Sequence, residues 1–196
     1  MSSAIERVTE QFVAKARQMN WRVGLSKAAL ARTGDREAFE ALVYEFTPRI
    51  YRLARAIVGE GMASDVVQDV FLSAWRELPR LRDPQRFPAW LHRIAINCSR
   101  SALRRATKVR ELDLSAASTS ATPGDFRTAV ETRAVLMPVL LALPFDQRVV
   151  VALHYASGLS LAQAAVALSV PIGTVKSRLS AALATLRAAL VEAENG

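Results

Sequence analysis

The chain has 196 residues, enough for one or two small domains with real cores, and its 26 Lys plus Arg against 18 Asp plus Glu give a formal net charge of +8. That balance suits a polyanionic partner. A single cysteine, Cys98, excludes an internal disulfide framework and a cysteine-based zinc site. No apolar run approaches the about 20 residues that span a bilayer. The first residues, "MSSAIERVTEQFVAKARQ", lack an apolar signal core and carry Glu6 and Glu10. The expectation is an intracellular, reducing compartment, with no membrane insertion. Glycine is scarce, and apolar residues recur three and four apart, which predicts an all-α fold.

In chain order, Ile5, Val8, Phe12, Ala16 and Met19 predict an amphipathic helix. Gly34 and Asp35 read as a stop followed by a new N-cap. Phe39, Leu42, Val43, Phe46, Ile50, Leu53, Ala54 and Ile57 then mark one face of a long helix, in which Pro48 is expected to make a kink. Gly59 and Gly61 should end it, and Ser64 should cap the next helix. That helix carries Val67, Val70, Phe71, Ala74, Trp75 and Leu78 on its apolar face, with Asp65, Gln68, Asp69 and Arg76 on the other. "PRLRDPQRFP" (Pro79 to Pro88) is too proline-rich for helix and reads as a loop with a basic rim. A third helix is predicted from Ala89 to about Lys108. "ELDLSAASTSATPGD" (Glu111 to Asp125) is small and polar, as a flexible linker between two domains would be. Beyond it come a helix from Phe126 to Ala142 interrupted by Pro138, another from Phe145 to about Ala156, and a pair of short helices joined by "SVP". Ser160 and Gln163 form a capping-box pattern at the start of that pair.

The third helix concentrates charge. Arg93, Asn97, Arg100 and Arg104 recur at four, three and four, so they share a face opposite Trp90, Leu91, Ile94, Ala95 and Cys98. No acid lies between Arg86 and Arg110. Such a strip can follow a phosphate backbone, with an affinity that falls steeply with salt; a solvated helix face is the bland alternative. The loop before it brings Arg80, Arg82, Arg86 and Phe87 next to Trp90, an interleaving of cations and rings that suits single-stranded nucleic acid. Taken singly, Phe87 and Trp90 read as core anchors rather than stacking platforms; it is the charge of the loop beside them that favours the nucleic-acid reading. The acidic and amide face at Asp65, Gln68 and Asp69 cannot favour DNA and reads as solvent-facing or as a dock for a basic protein. In the final pair, Leu161, Ala164, Ala165 and Leu168 face Val175, Leu179 and Leu183, which makes either a helix-turn-helix or a plain αα-hairpin. Catalysis finds no support: His92 and His154 lie in different halves, and no glycine-rich phosphate loop, carboxylate cluster, nucleophile motif or metal site is evident. Cys98 reads as buried and inert.

Five blocks in order, "GDREAFEALVYEFTPRIYRLA", "ASDVVQDVFLSAWREL", "RFPAWLHRIAINCSRSALRR", "LPFDQRVVVALHYASGLSLAQAA" and "VPIGTVKSRL", together resemble the extracytoplasmic-function sigma factors of bacterial RNA polymerase, within the sigma-70 family. The likeness covers roughly Leu30 to Leu190. It implies an N-terminal extension (1–33), a sigma-2 domain (34–110), a linker (111–125) and a sigma-4 helix-turn-helix domain (126–192), in a cytoplasmic bacterial protein without enzymatic activity or cofactor. By that resemblance, Asp65, Gln68, Asp69, Phe71 and Arg76 would dock on the clamp helices of the largest subunit of core RNA polymerase. Arg80, Arg82, Arg86, Phe87, Trp90, Arg93, Asn97, Arg100 and Arg104 would capture the single-stranded −10 promoter element. Thr174, Lys176, Ser177, Arg178, Ser180 and Ala181 would read duplex −35 DNA, while the other face of that domain meets the polymerase flap. An anti-sigma factor would be a further partner.

Two departures stand out. Where the family pattern continues "GTVKSRL" with a bulky residue and arginines, this chain has Ser180, Ala181, Ala182, Leu183, Ala184 and Thr185. Losing such a contact typically removes about 1–3 kcal/mol of base discrimination, or about one unit of salt slope. The other departure is the extension before Gly34, which is expected to be helical. The plain recognition helix leaves two rival readings, a sigma-like decoy that sequesters an anti-sigma factor and a stand-alone helix-turn-helix regulator.

Overall fold

The computed structural model describes residues 23–112 and 129–195, and every regular element among them is helical. The helix expected around Ile5 to Met19 and most of the expected linker lie outside these residues. Helix α1 (Val23–Arg32) leads into α2 (Arg36–Val58), α3 (Glu60–Glu77), two short 3-10 turns (Leu78–Arg80 and Pro84–Arg86) and α4 (Phe87–Leu112). The second half comprises α5 (Ala129–Ala142), α6 (Phe145–Val151) running into a π-turn (Ala152–Ala156), α7 (Leu161–Leu168) and α8 (Ile172–Asn195).

The predicted start of α2 holds: the Asp35 carboxylate accepts from Ala38 N at 2.9 Å, and Gly34 makes the turn at φ 96°. Its apolar stripe buries Leu42, Phe46, Ile50, Leu53 and Ile57 completely or nearly so. The helix continues unbroken through Pro48. The carbonyl that loses its donor there belongs to Tyr44, and both residues are exposed, so water can meet it. Helix α5 likewise runs on through the exposed Pro138.

The expected cap of α3 at Ser64 is corrected. The helix starts five residues earlier, with Gly59 as the shared junction at φ 84°, so that Ser64 and Gly61 are interior. One glycine suffices because its left-handed φ turns the chain without a loop. A Cβ at Gly59 would also stand 3.4 Å from Leu141 Cδ1 of the second half. The segment before Gly34 holds a helix that the apolar spacing did not reveal: α1 buries Ala28 and Ala31, and Lys27 Nζ lies 3.4 Å from Glu45 Oε2 on α2. At the other end of the domain, α4 begins at Phe87 and reaches Leu112, further than expected in both directions.

The two halves share one continuous core. Helix α7 packs on α4, and the π-turn packs on α2. Two arginines cross the junction: Arg52 Nε donates to Ala156 O at 3.2 Å, and Arg148 Nη1 donates to Ile57 O at 2.8 Å. Within the second half, the predicted capping box is present, with Gln163 N to Ser160 Oγ at 3.2 Å and Ser160 N to Gln163 Oε1 at 2.8 Å. Ser169 takes a left-handed φ of 55° to close α7, and Pro171 leads into α8. Ala164, Ala165, Val175, Leu179 and Ala182 are buried between these helices, as a close crossing of small residues requires.

His92 is a packed histidine. It is fully buried on α4, and its Nδ1–H donates to Pro88 O at 2.6 Å. Nε2 has no partner, so a second proton would bury a charge; burial, aided by the Arg49 cation, pushes the pKa down to about 4 from 6.5. Because the folded value lies below the unfolded one, the neutral ring's contribution is complete above pH 6.5 and is lost as pH falls toward 4. Urea unfolding at pH 5 should show about 2 kcal/mol less stability than at pH 7 from this site. The His92→Gln variant should lose that part of the pH dependence.

Candidate nucleic-acid interface

Helix α4 is amphipathic in the strict sense that one side is core and the other is cationic. Leu91, Ala95 and Ala102 are buried, while Arg93, Asn97, Arg100 and Arg104 are all exposed, as their spacing predicts. The turns before the helix hold Arg80, Arg82 and Arg86 exposed on the same approach. They are fixed from below. Arg32 Nη1 donates to Leu81 O and Arg82 O at 3.4 and 3.3 Å, and the Asp83 carboxylate accepts from Gln85 N at 2.9 Å. Asp83 also lies 3.4 Å from Arg86 Nε.

Phe87 is not part of this surface. It is 1% exposed and meets Phe46 edge-on at 5.3 Å, because the start of α4 is pressed into the core against α2. Its ring therefore has no face to offer a base. Trp90, one turn on, is only partly buried. It borders a groove of about 550 Å³ between α3 and α4, lined also by Asp69, Ser73, Arg93, Asn97 and Arg105. The groove combines one aromatic ring with amide and guanidinium donors, and it is large enough for a nucleobase. Cys98 also lines it. The residue is half-buried rather than fully packed, and burial is the main cause that raises its thiol pKa.

On α3, Asp65, Gln68, Leu72 and Arg76 lie three and four apart, and all are exposed. Leu72 is 56% exposed, and Trp75 beside it is 41% exposed, stacked in a tilted pair with Phe39 at 4.8 Å. This exposed apolar element was legible only in part, since Trp75 read as core and Leu72 was not singled out. Phe71 is the reverse case: it is buried against the core and has little surface left for a partner. Asp69 points between the two sides, with Oδ2 at 2.9 Å from Arg105 Nη2 of α4.

On α8, Lys176, Ser177, Ser180 and Ala181 are exposed, and Thr174 is half-buried. Arg178 is held on the flank, with Nη2 at 2.6 Å from Asp146 Oδ2 of α6. The early outward face of the helix therefore carries one open cation, Lys176. A further cation, Arg187, sits eleven residues on. With Lys176 it borders a small groove of about 270 Å³ floored by Leu161, Leu179 and Leu183. Eleven residues are just over three full turns, so both cations share a face about 16 Å apart along the axis. That spacing was present in the sequence but lies beyond the motif.

Among the described residues, no cluster of acidic, histidine or cysteine side chains could hold a metal ion, and no helix is long and apolar enough to cross a membrane.

Comparison with known proteins agrees with this layout. Residues 42–109 match the family description "Sigma-70 region 2", and residues 133–186 match "Sigma-70, region 4". The ECF RNA polymerase sigma-E factor of Escherichia coli K12 is 29% identical over 158 residues, covering 74% of this chain and 83% of that protein. Among solved structures, CnrH in complex with the cytosolic domain of CnrY matches with a TM-score of 0.66 and 31% identity, covering 86% of this chain and 97% of that one. The sigma factor RpoE of Bartonella quintana, in complex with the anti-sigma factor NepR, matches with a TM-score of 0.64 and 26% identity, covering 78% and 96%. With regions 2 and 4 both matched in order, the chain belongs to the sigma-70 family and is an ECF-type sigma factor of transcription initiation.

Proposed function

We propose that this sigma factor engages core RNA polymerase through the exposed face of α3 and promoter DNA through α4 and α8, in the bacterial cytoplasm, with no enzymatic step of its own. One observation carries the reading: the two exposed faces of the first half differ in character. The α4 face presents Arg93, Asn97, Arg100 and Arg104 with no acid among them, whereas the α3 face presents Asp65, Gln68, the apolar Leu72 and Arg76, one charge of each sign. A cationic strip gathers phosphate by releasing counterions, and a polar rim of mixed charge around an apolar centre suits a protein surface.

On the DNA side, the exposed arginines of the turns and of α4 track the unwound −10 strand. A base leaving the stack enters the groove beside Trp90, where Arg93 and Asn97 supply donors. Unstacking costs a few kcal/mol, which stacking and hydrogen bonds in such a groove can offset. On α8, Lys176, Ser177 and Ser180 meet the −35 duplex, with Ala181 facing it where an arginine would add grip. The relatives captured with an anti-sigma factor and with the cytosolic domain of CnrY support an anti-sigma partner for this chain as well.

Run-off transcription with purified core polymerase and fragmented bacterial genomic DNA tests the reading. Discrete new starts that share an upstream motif are the expected result. A folded protein that binds core yet gives no starts would favour the decoy, which the plain outward face of α8 motivates.

Two variants probe the surfaces separately. Asp65→Lys combined with Leu72→Asp should weaken core polymerase binding about tenfold or more in a titration, with the helical circular dichroism unchanged, because both side chains are exposed. Ala181→Arg should tighten binding to a −35 duplex and steepen its salt dependence by about one unit, read by fluorescence anisotropy.

A further inference from the structure

The side of α8 that faces away from the core is short throughout. Val175, Leu179 and Ala182 are buried. At about 3.6 residues per turn, the line opposite them is Gly173, Ser177, Ser180, Ala181 and Ala184, all exposed. None of these side chains reaches more than one atom beyond Cβ. The longer ones stand at the edges: Lys176 on one side, and on the other Arg178, whose Nη2 lies 2.6 Å from Asp146 Oδ2. The central hydroxyl is engaged as well, since Ser177 Oγ donates to Thr174 O at 3.0 Å and keeps only its lone pairs for an outside group. Packing does not impose this smallness. A Cβ at Gly173 would meet nothing within 4 Å, and Ala181 and Ala184 stand in solvent.

We propose that Ala181 and Ala184 are specificity-determining residues that read the 5-methyl groups of thymines in the −35 duplex. The inference rests on the −35 reading of α8 and deepens it by naming the base chemistry. The major groove displays acceptors, amino donors and the thymine methyl. A guanine edge is a pair of acceptors and calls for a long cationic donor; the outward line of α8 has none. What it supplies is methyl groups on a slim rod. A helix with full side chains is about 10–12 Å across, and the major groove is about 12 Å wide and about 8.5 Å deep. Trimmed to Cβ on its outward side, α8 sits deeper than a helix that keeps arginines between its backbone and the bases. At that depth the Cβ atoms of Ala181 and Ala184 meet thymine methyls, and each contact removes apolar surface of both partners from water. The two alanines lie about 4.5 Å apart along the axis, so they address neighbouring base pairs. Ser177, its proton turned inward, accepts from an adenine or cytosine amino group.

The test uses holoenzyme, the full chain assembled with core polymerase, on the −35 element that it selects from a pool of randomised double-stranded fragments. Deoxyuridine replaces each thymidine of that element in turn, which deletes one methyl and keeps every hydrogen-bonding group. Competition against the unsubstituted duplex should show about a fourfold loss at one or two positions and none at the others. Ala181→Gly and Ala184→Gly remove the protein's side of the contact, so at the matching position deoxyuridine should cost nothing further. Ala188→Gly, one turn beyond, carries the same helix penalty and should leave the fourfold loss in place. Ala181→Arg should tighten binding to all duplexes and erase the distinction between thymine and uracil at its position. A selected element that holds no thymine overturns methyl reading, as does one in which deoxyuridine is neutral throughout. So does a loss that persists unchanged in both glycine variants, since the methyl then acts through DNA shape alone. If no −35 sequence is selected at all, the −35 reading of α8 falls, and methyl reading falls with it.

Discussion

The carbonyl of Ile57, near the end of α2, has no helical donor of its own, and the structure turns on how it is met. The last turn of any helix presents such carbonyls, together with the negative end of the helix dipole. Here the donor is Arg148 from the second half of the chain, at 2.8 Å, with its other nitrogen on Leu143 O at 3.3 Å. Burial lowers the pKa of that guanidinium, so its charge is kept there at a cost that the two carbonyls offset. Because Gly59 starts α3 immediately, no loop intervenes to shield the helix end. The second half is thereby keyed to the point where α2 and α3 meet, and Leu141 closes over Gly59.

From that point the division of labour among the helices follows. Helix α2 is the common wall, touching α1, α3, α4 and the second half, and most of its stripe is buried, with Phe39 and Val43 partly so. Its neighbours are then free to show one polar side each. The sides differ in composition: α4 shows arginines and an asparagine, whereas α3 shows Asp65 and Arg76, an amide and an apolar pair. Asp69 and Arg105 meet where the two faces join. Opposite charge at that seam keeps each field from spreading onto the other surface, which favours two separate partners over one.

Much of this was written in local spacing. The stripes of α2, α3 and α4, the Asp35 cap, the Ser160–Gln163 box and the α7–α8 crossing all depend on residues within a few turns of one another. What escaped the sequence depends on distance. Phe87 stands among cations in the chain and looks like a stacking ring, yet it is core because α4 starts against Phe46, 41 positions earlier. Helix α1 is small-residued, "VGLSKAALAR", and its buried alanines give too weak an apolar signal to mark a face. The start of α3 was missed because a serine is a better cap than a glycine by local chemistry, and only the left-handed φ of Gly59 decides otherwise. Asp146 stands in none of the patterns that the sequence singles out. Its two arginine partners lie 46 positions before it and 32 after it, and only the fold brings them together.

That same geometry bears on the plainness of α8. A recognition helix whose early outward face holds one open lysine and small side chains makes a weak hold on duplex DNA, and Arg178 is not free to help while Asp146 keeps it. The weakness is tolerable if α8 never binds alone. Once the first half is seated on polymerase and on the −10 strand, the second half is tethered, and its effective concentration near the duplex rises without any added contact. A thin recognition helix therefore makes engagement of the second element depend on engagement of the first.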